Sequence, residues 1–486
     1  MPQRNQVSWN AMLTVLLKWD HLEGALRLFI KMPERNPRTY TSMITGLSRF
    51  GYVEEAWIVF ESIPIQEHNV LSWTAMISSY IHNGRATKGL ELFLSWYGSV
   101  IPNVYTFSIV LKGCLEVRSL VTGMQIHGLI LKLLELGKEE TVFVENSLID
   151  LHTKLGSLGD AEKIFNGLRS KDLSSWNIMM DAYVRNLLMD KALEIFYSMV
   201  EKDTLSWNIV ISGFAETGCG DKALEYFRWL LRSSEREIKP NPSTYTIVLT
   251  VCATFTKFEF GTQIHTQTLK AGLLQSNIFA GNSLISMYSR CGSIKDSEKI
   301  FIDMPKRDVV SSNSLIQGLG ENGYSSEALE IGEMALSTGD YNDNTFIGLL
   351  TSCSHGGLVH EGMEYFNFMS STYGTQPSLH HYNCVIDMLG RAGRIVEAST
   401  FLCKMPFTPN YVSWAALLNA CMVHGNVEVG EVAARELQIL EPRNVASYVM
   451  LGNIYRTKGL AGESKRVLDF MRNIGLKKNE GFSWMH

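Results

Sequence analysis

This chain of 486 residues contains no apolar run near the roughly 18 residues that a membrane-crossing helix requires. It has no low-complexity stretch, and 45% hydrophobic with 19% charged residues is the balance of a folded chain. A basic surplus is missing too, the net charge being −5 and the isoelectric point about 6.2. That argues against a protein that grips nucleic acid through phosphate charge alone. A protein that reads separated bases one at a time depends less on total charge. None of the eight cysteines, from Cys114 to Cys421, is separated from another by only two residues. A Cys-x-x-Cys zinc clamp or redox pair is therefore excluded, and the thiols read as scattered core residues of a reducing compartment. No glycine-rich loop of the phosphate-cradling kind occurs.

What the chain does have is a repeat. Leu173-Ser174-Ser175-Trp176-Asn177 opens a segment that closes on Lys202-Asp203, and Thr204-Leu205-Ser206-Trp207-Asn208 at once opens a near copy. Between the two tryptophans lie an apolar run (Ile178, Met179, Tyr183), a break at Arg185-Asn186-Leu187 and a second run (Ala192, Leu193, Ile195, Phe196, Met199). Each run has the spacing of one helix face. Anchors equivalent to Trp176 recur from Trp9 to Tyr448 at intervals of 31 to 38 residues. Such a period specifies a helix–turn–helix unit before any other signal is weighed. Glycine closes most first helices (Gly51, Gly84, Gly156, Gly218, Gly292, Gly323, Gly393), where positive φ is expected, and Asn186 takes that place in the sixth unit. One hairpin cannot bury both of its apolar stripes; stacked hairpins do, which predicts an all-α solenoid with a concave groove.

The motifs Val7-Ser8-Trp9-Asn10-Ala11-Met12, Leu71-Ser72-Trp73-Thr74-Ala75-Met76-Ile77, Asn282-Ser283-Leu284-Ile285-Ser286-Met287-Tyr288 and Asp387-Met388-Leu389-Gly390-Arg391-Ala392-Gly393-Arg394 resemble those of plant pentatricopeptide repeat proteins of the PLS class. The resemblance covers essentially the whole chain. It implies a right-handed α-solenoid superhelix with about twelve repeats over residues 6–410, after a repeat tail at 1–5. Residues 411–486, with Trp414-Ala415-Ala416-Leu417-Leu418, His424-Gly425-Asn426 and Gly481-Phe482-Ser483-Trp484, resemble the family's E-type extension of TPR-like hairpins. Ser312 departs from the pattern, standing where an aromatic is usual.

The resemblance further implies single-stranded RNA as partner, one base per repeat, read by the fifth residue of a repeat together with its last. The fifth residues are Asn10, Thr41, Thr74, Ser108, Asn146, Asn177, Asn208, Thr246, Asn282, Asn313, Ile347 and Asn383. The last are Asn36, Asn69, Asn103, Thr141, Asp172, Asp203, Asn241, Asn277, Asp308, Asn342, Ser378 and Asn410. Ser108 and Ile347 belong to the weakly reading long repeats. Asp and Asn before a helix are also ordinary caps. Capping does not account for asparagine at seven fifth positions inside a first helical turn, where its propensity is poor. An amide offers the donor and acceptor that a base edge needs. Val7, Leu71, Leu205, Phe279 and Val310 at second positions suit a clamp on base faces, whereas Arg38, Ser174, Ser243, Asn344 and His380 depart from it. The family code would read about Y-A-A-n-U-U-Y-A-U-Y-n-Y, with the N-terminus toward the 5′ end.

Catalytic residues, cofactor and metal are expected to be absent. The deaminase that ends many family members needs a His-x-Glu set beside a Cys-x-x-Cys to hold zinc, and the cysteine pair does not occur. The expected role is a site-recognition factor for C-to-U RNA editing in a plant organelle, mitochondrion or alternatively chloroplast. It would recruit a DYW-type deaminase in trans together with multiple organellar RNA editing factors, with no membrane and no small-molecule substrate. Transcript stabilisation, splicing or translation by occupancy is a second reading, and a TPR-like peptide-binding scaffold a third. Met1-Pro2-Gln3-Arg4-Asn5 matches the repeat ends Met32-Pro33-Glu34-Arg35-Asn36 and Met304-Pro305-Lys306-Arg307-Asp308. A longer native form with an organellar presequence is expected on that ground.

Overall fold

The computed structural model describes residues 5–476 except 97, 99, 137 and 233–237. Part of the leading tail and the closing Gly481–Trp484 motif lie outside the described residues. Among the described residues there are 29 α-helices and no β-strand. Apart from the short Leu273–Ser276, the helices pair into hairpins such as Leu173–Arg185 with Met189–Ser198 and Thr204–Glu216 with Gly220–Arg232. The last two hairpins, Tyr411–His424 with Val427–Leu440 and Val445–Thr457 with Ala461–Asn473, lie in the segment expected as the extension.

The chain forms two compact units, residues 1–239 and 240–486. Within each, first helices of successive repeats lie side by side in one layer, and second helices form another. Each second helix packs on its own first helix and on the next repeat's, the arrangement of an α-solenoid. Apolar cores consequently run across repeat boundaries. One joins Leu13 of the first repeat to Met76 of the third, and another joins Leu349, Val385 and Ile386 to Leu417, Leu418 and Ile454 of the extension. The aromatic at the fourth position is a packing residue. Trp176 meets Phe165 edge-on at 5.1 Å and Trp207 meets Phe196 at 4.9 Å. Such pairs add about 0.5–1.5 kcal/mol beyond the area they bury.

Helix starts and stops follow local chemistry, with two corrections. Gly51, Gly84, Gly218, Gly292, Gly323 and Gly393 have φ between 73° and 84°, the left-handed conformation glycine adopts without a Cβ clash. Gly156 instead has φ −103°. Asn186 is not the left-handed residue of its repeat either. It keeps φ −92°, donating from Nδ2 to Ala182 O at 2.8 Å, and Leu187 takes φ +58°. The amide is already committed to an orphan carbonyl at the helix end, so the strain falls on the following residue.

Candidate nucleic-acid interface

The last residue of a repeat is the N-cap of the next repeat's first helix, and this fixes the site. Asp203 precedes Thr204–Glu216 with extended backbone, and its Oδ1 accepts from Ser206 N at 2.8 Å. Ser206 is the third residue of its repeat. Its Oγ lies 2.7 Å from Asp203 Oδ1 and donates to Asn177 Oδ1 at 2.8 Å. Asn177, the fifth residue of the preceding repeat, donates from Nδ2 to Asp203 Oδ1 at 3.2 Å. Three residues from two repeats thus close a ring of hydrogen bonds.

The same ring recurs. Asn146 donates to Asp172 at 3.0 Å and accepts from Ser175 at 2.7 Å. Asn282 donates to Asp308 at 3.2 Å and accepts from Ser311 at 2.7 Å. With asparagine as the cap, Asn10 donates to Asn36 at 3.3 Å and accepts from Thr39 at 2.7 Å, and Asn313 donates to Asn342 at 3.0 Å and accepts from Thr345 at 2.8 Å. The orientation of each amide is dictated by its partner. A carboxylate, or a carbonyl oxygen already capping a helix, can only accept, so the amide must turn its NH2 toward it. In the twelfth repeat Asn383 accepts from Ser413 at 2.7 Å, but its Nδ2 is buried with no partner.

The ring is layered. Asn146, Asn177, Asn282 and Asn383 are buried and the third-position hydroxyls are wholly so, while Asp172 is exposed and Asp203 and Asp308 are half-buried. All three bonds to each of these aspartates land on Oδ1, which leaves Oδ2 outside the ring. Burial pushes these carboxyls up, but the hydrogen bonds from the capped helix, the third-position hydroxyl and the asparagine outweigh it and hold each below its ordinary value. They are ionised acceptors at neutral pH. The second-position apolar side chains Val7, Leu71, Leu205, Phe279 and Val310, one turn before the fifth residues of their own helices, are each 53–74% exposed. Burying such side chains is favourable, so their exposure in register offers apolar surface to a partner.

Threonine positions are different. Thr41 and Thr246 bond back to Pro37 O and Pro242 O of their own helices, and Thr74 Oγ1 meets Thr106 Oγ1 at 2.8 Å. Asn69, Asn103 and Asn277 cap the next helix but make no bond to these threonines. Ser108 and Thr141 are not brought together: buried Ser108 bonds to Val104 O, and Thr141 bonds to Lys138 O without capping its helix. Ile347 is half-buried. Ser378 pairs with His381, which replaces the third-position hydroxyl. His381 Nε2 donates to Asp343 O at 2.9 Å, so Nδ1 accepts from Ser378 N at 3.1 Å. Asn208 is buried, but its pair Asn241 belongs to the other compact unit.

The third-position Ser or Thr is the residue sequence reading passed over. Its signal was the recurring Asp/Asn-x-x-Ser/Thr of a reciprocal capping box. Tyr105 and Phe143, exposed second-position aromatics with ring centroids 5.8 Å apart, were also missed. Among the described residues no three His, Cys, Asp or Glu side chains converge on one point. The lone His-x-Glu, His21-Leu22-Glu23, is a helix start, with His21 Nδ1 accepting from Gly24 N at 3.2 Å. Two other histidines tie helices together, His265 to Tyr288 OH at 2.8 Å and His355 to Gly320 O at 3.2 Å.

Family models for the PPR repeat match eight segments between residues 7 and 406, and the PPR repeat family model matches 202–254; together they cover more than half of the chain. The chain is a pentatricopeptide repeat protein. Its C-terminal residues 424–486 match the E motif, the arrangement of the PLS class with an E-type extension. Similar proteins include three pentatricopeptide repeat-containing proteins of Arabidopsis thaliana. One is 34% identical over 431 residues, covering 88% of this chain and 57% of the relative. A mitochondrial one is 35% identical over 432 residues, covering 88% and 61%. A chloroplastic one is 33% identical over 425 residues, covering 87% and 46%. The chain thus spans roughly half to three fifths of their length. Among solved structures, the pentatricopeptide repeat protein PPR10 from maize is 18% identical with a TM-score of 0.43, covering 98% of this chain and 85% of that one.

Proposed function

We propose that this pentatricopeptide repeat protein reads single-stranded RNA one base per repeat and serves as a site-recognition factor for C-to-U editing in a plant organelle. The observation that carries the reading is the oriented amide. In Asn177–Asp203 one Nδ2 hydrogen is held by Asp203 Oδ1, so the second is available beside the unengaged Oδ2. A donor next to an ionised acceptor suits uracil, whose carbonyl accepts and whose N3–H donates. With asparagine as last residue the outer group becomes an NH2, a second donor, which suits the acceptors of either pyrimidine. The buried, unpartnered Nδ2 of Asn383 is a donor waiting for an acceptor. Exposed Leu205, Phe279 and Val310 would cover the base faces.

The match of 424–486 to the E motif supports a docking role for the extension toward a DYW-type deaminase and multiple organellar RNA editing factors. The extension shares one apolar core with the repeats before it. It would hold a deaminase at a fixed distance beyond Asn383 and Asn410, placing the edited C a few nucleotides 3′ of the bound stretch. Relatives named mitochondrial and chloroplastic support an organellar home. Occupancy without editing is the second reading. The test is a selection from randomised single-stranded RNA run beside a peptide array. Enrichment near Y-A-A-n-U-U-Y-A-U-Y-n-Y is expected, with Asn177→Thr shifting its nucleotide from U toward G. Capture of peptides without RNA selection would overturn the reading. Loss of one C-to-U change across the transcripts of a null plant separates editing from occupancy.

A further inference from the structure

Asparagine and the hydroxyl behind it go together in this chain. All seven fifth-position asparagines precede a repeat whose third residue is Ser or Thr. The three repeats whose third residue is Val144, Ala280 or His381 follow Ser108, Thr246 and Ile347 instead. The structure supplies the reason. An asparagine side chain is nearly symmetric in shape, and its terminal torsion is broad and soft. One bond to the cap fixes which end faces the cap but leaves the amide plane free to turn. The hydroxyl adds a second point: Ser175, Ser206 and Ser311 reach Oδ1 of Asn146, Asn177 and Asn282 at 2.7–2.8 Å from positions with no solvent exposure.

We propose that the third-position hydroxyl of the following repeat is a specificity-determining positioning group, which holds the preceding asparagine so that Nδ2–H rather than Oδ1 faces the base. The group touches no base itself. Its Oγ donates to Asn177 Oδ1 at 2.8 Å and lies 2.7 Å from Asp203 Oδ1, so it engages the amide oxygen that must not face outward. The effective reading unit is therefore a triad drawn from two repeats, and Thr246, followed by Ala280, lies outside that scheme. Asn277 still caps Ala280 N at 3.0 Å there, so the cap alone does not need the hydroxyl.

This inference rests on the base-reading function, and the experiment separates the two. Single-stranded RNAs randomised at one nucleotide at a time are bound to the full chain and to Ser206→Ala, Ser206→Thr and Asn177→Thr, with a thermal melt of each. Ser206→Ala should lose roughly tenfold of its discrimination at the Asn177 nucleotide and leave its neighbours unchanged. Ser206→Thr should retain it. A second arm runs in the gaining direction and does not depend on tolerating a lost bond. Thr246→Asn alone should discriminate poorly, and Thr246→Asn with Ala280→Ser should discriminate pyrimidines about as well as Asn313, which also pairs with an asparagine, does. If Asn177→Thr changes the preferred base while Ser206→Ala does not, or if Ser206→Ala weakens every nucleotide evenly, the positioning role is wrong and base reading stands. If neither the unaltered chain nor Asn177→Thr shows a preference at that nucleotide, base reading fails first.

Discussion

Replacing Asn177 by Asp tests the ring with almost no change of shape. The substitution puts an oxygen where Nδ2 now donates to Asp203 Oδ1 at 3.2 Å. Two unit charges at that distance repel by about 5 kcal/mol at an effective dielectric constant near 20. The fold escapes by binding a proton, and that escape sets the ceiling. Protonating a carboxyl whose ordinary value is 3.8 costs about 1.4 kcal/mol per pH unit above it, hence about 4 kcal/mol at pH 7. Native Asp203 is held below its ordinary value, so its contribution is present above that value and is lost as pH falls through the lowered one. The variant pair shares a raised value and so runs the other way, recovering stability as pH falls from 7 toward 5. Urea unfolding at both pH values gives the comparison, with hydrogen exchange over Leu173–Arg185 and Thr204–Glu216 to locate it. Asn177→Ala is the control that loses the bond without adding charge; it should cost about 1–3 kcal/mol with no such pH trend. A deficit for Asn177→Asp that is equal at pH 5 and pH 7, or absent at both, would refute the ring.

Other outcomes follow from single features. Leu187→Gly should stabilise by about 0.5–1 kcal/mol, because Leu187 is exposed and sits at φ +58°; a melting temperature that falls would contradict this. Burial holds His381 below its ordinary 6.5 and its Nδ1 must accept from Ser378, so the stability it lends is full above pH 6.5 and lost as pH falls through the lowered value. Exchange of the amides of Leu379–Arg391 should quicken on acidification, and His381→Ser should blunt that change. Phe279→Ala should weaken RNA binding several-fold in a filter-binding titration while leaving the melt unchanged, since the residue is 67% exposed. Val432→Glu with Ile439→Glu alters one exposed stripe of the extension helix Val427–Leu440. RNA affinity should persist and editing should be lost in a complemented null plant; restored editing would remove the docking role.

The fold was legible because period, caps and apolar spacing agree at every repeat. Trp176 and Trp207 mark successive first helices, Asp172 and Asp203 start them, and glycine ends most of them. Of the candidate site, the sequence pattern paired Asn146 with Asp172, Asn177 with Asp203 and Asn282 with Asp308, which the fold brings into contact, but not the hydrogen-bond ring that joins them. Capping and base reading looked like rival explanations for Asp203, yet one oxygen serves the cap while the other stays outside the ring. A serine beside a helix start has an ordinary capping role, and the reach of Ser206 29 residues back to Asn177 is set by the stacking of repeats, which local sequence does not carry. Which of Asn186 and Leu187 would bear positive φ depended on where one side-chain amide found a carbonyl, a choice composition does not encode.

On the proposed reading the last residue both starts a helix and faces a base, and that limits what a repeat can be asked to recognise. At each of the twelve boundaries the chain uses Asn, Asp, Ser or Thr, the side chains that best start a helix. A longer or bulkier residue with a better fit to a purine edge would leave the next helix without its first bonds, at a cost of about 1 kcal/mol. The vocabulary is therefore short for a reason unrelated to nucleic acid, and wider choice must come from neighbouring positions. Anyone rewriting the target by exchanging these residues is also editing the joints of the scaffold. Exchanges between Asp203 and Asn should travel freely, whereas those that abandon the cap should need a stabilising change elsewhere in the stack.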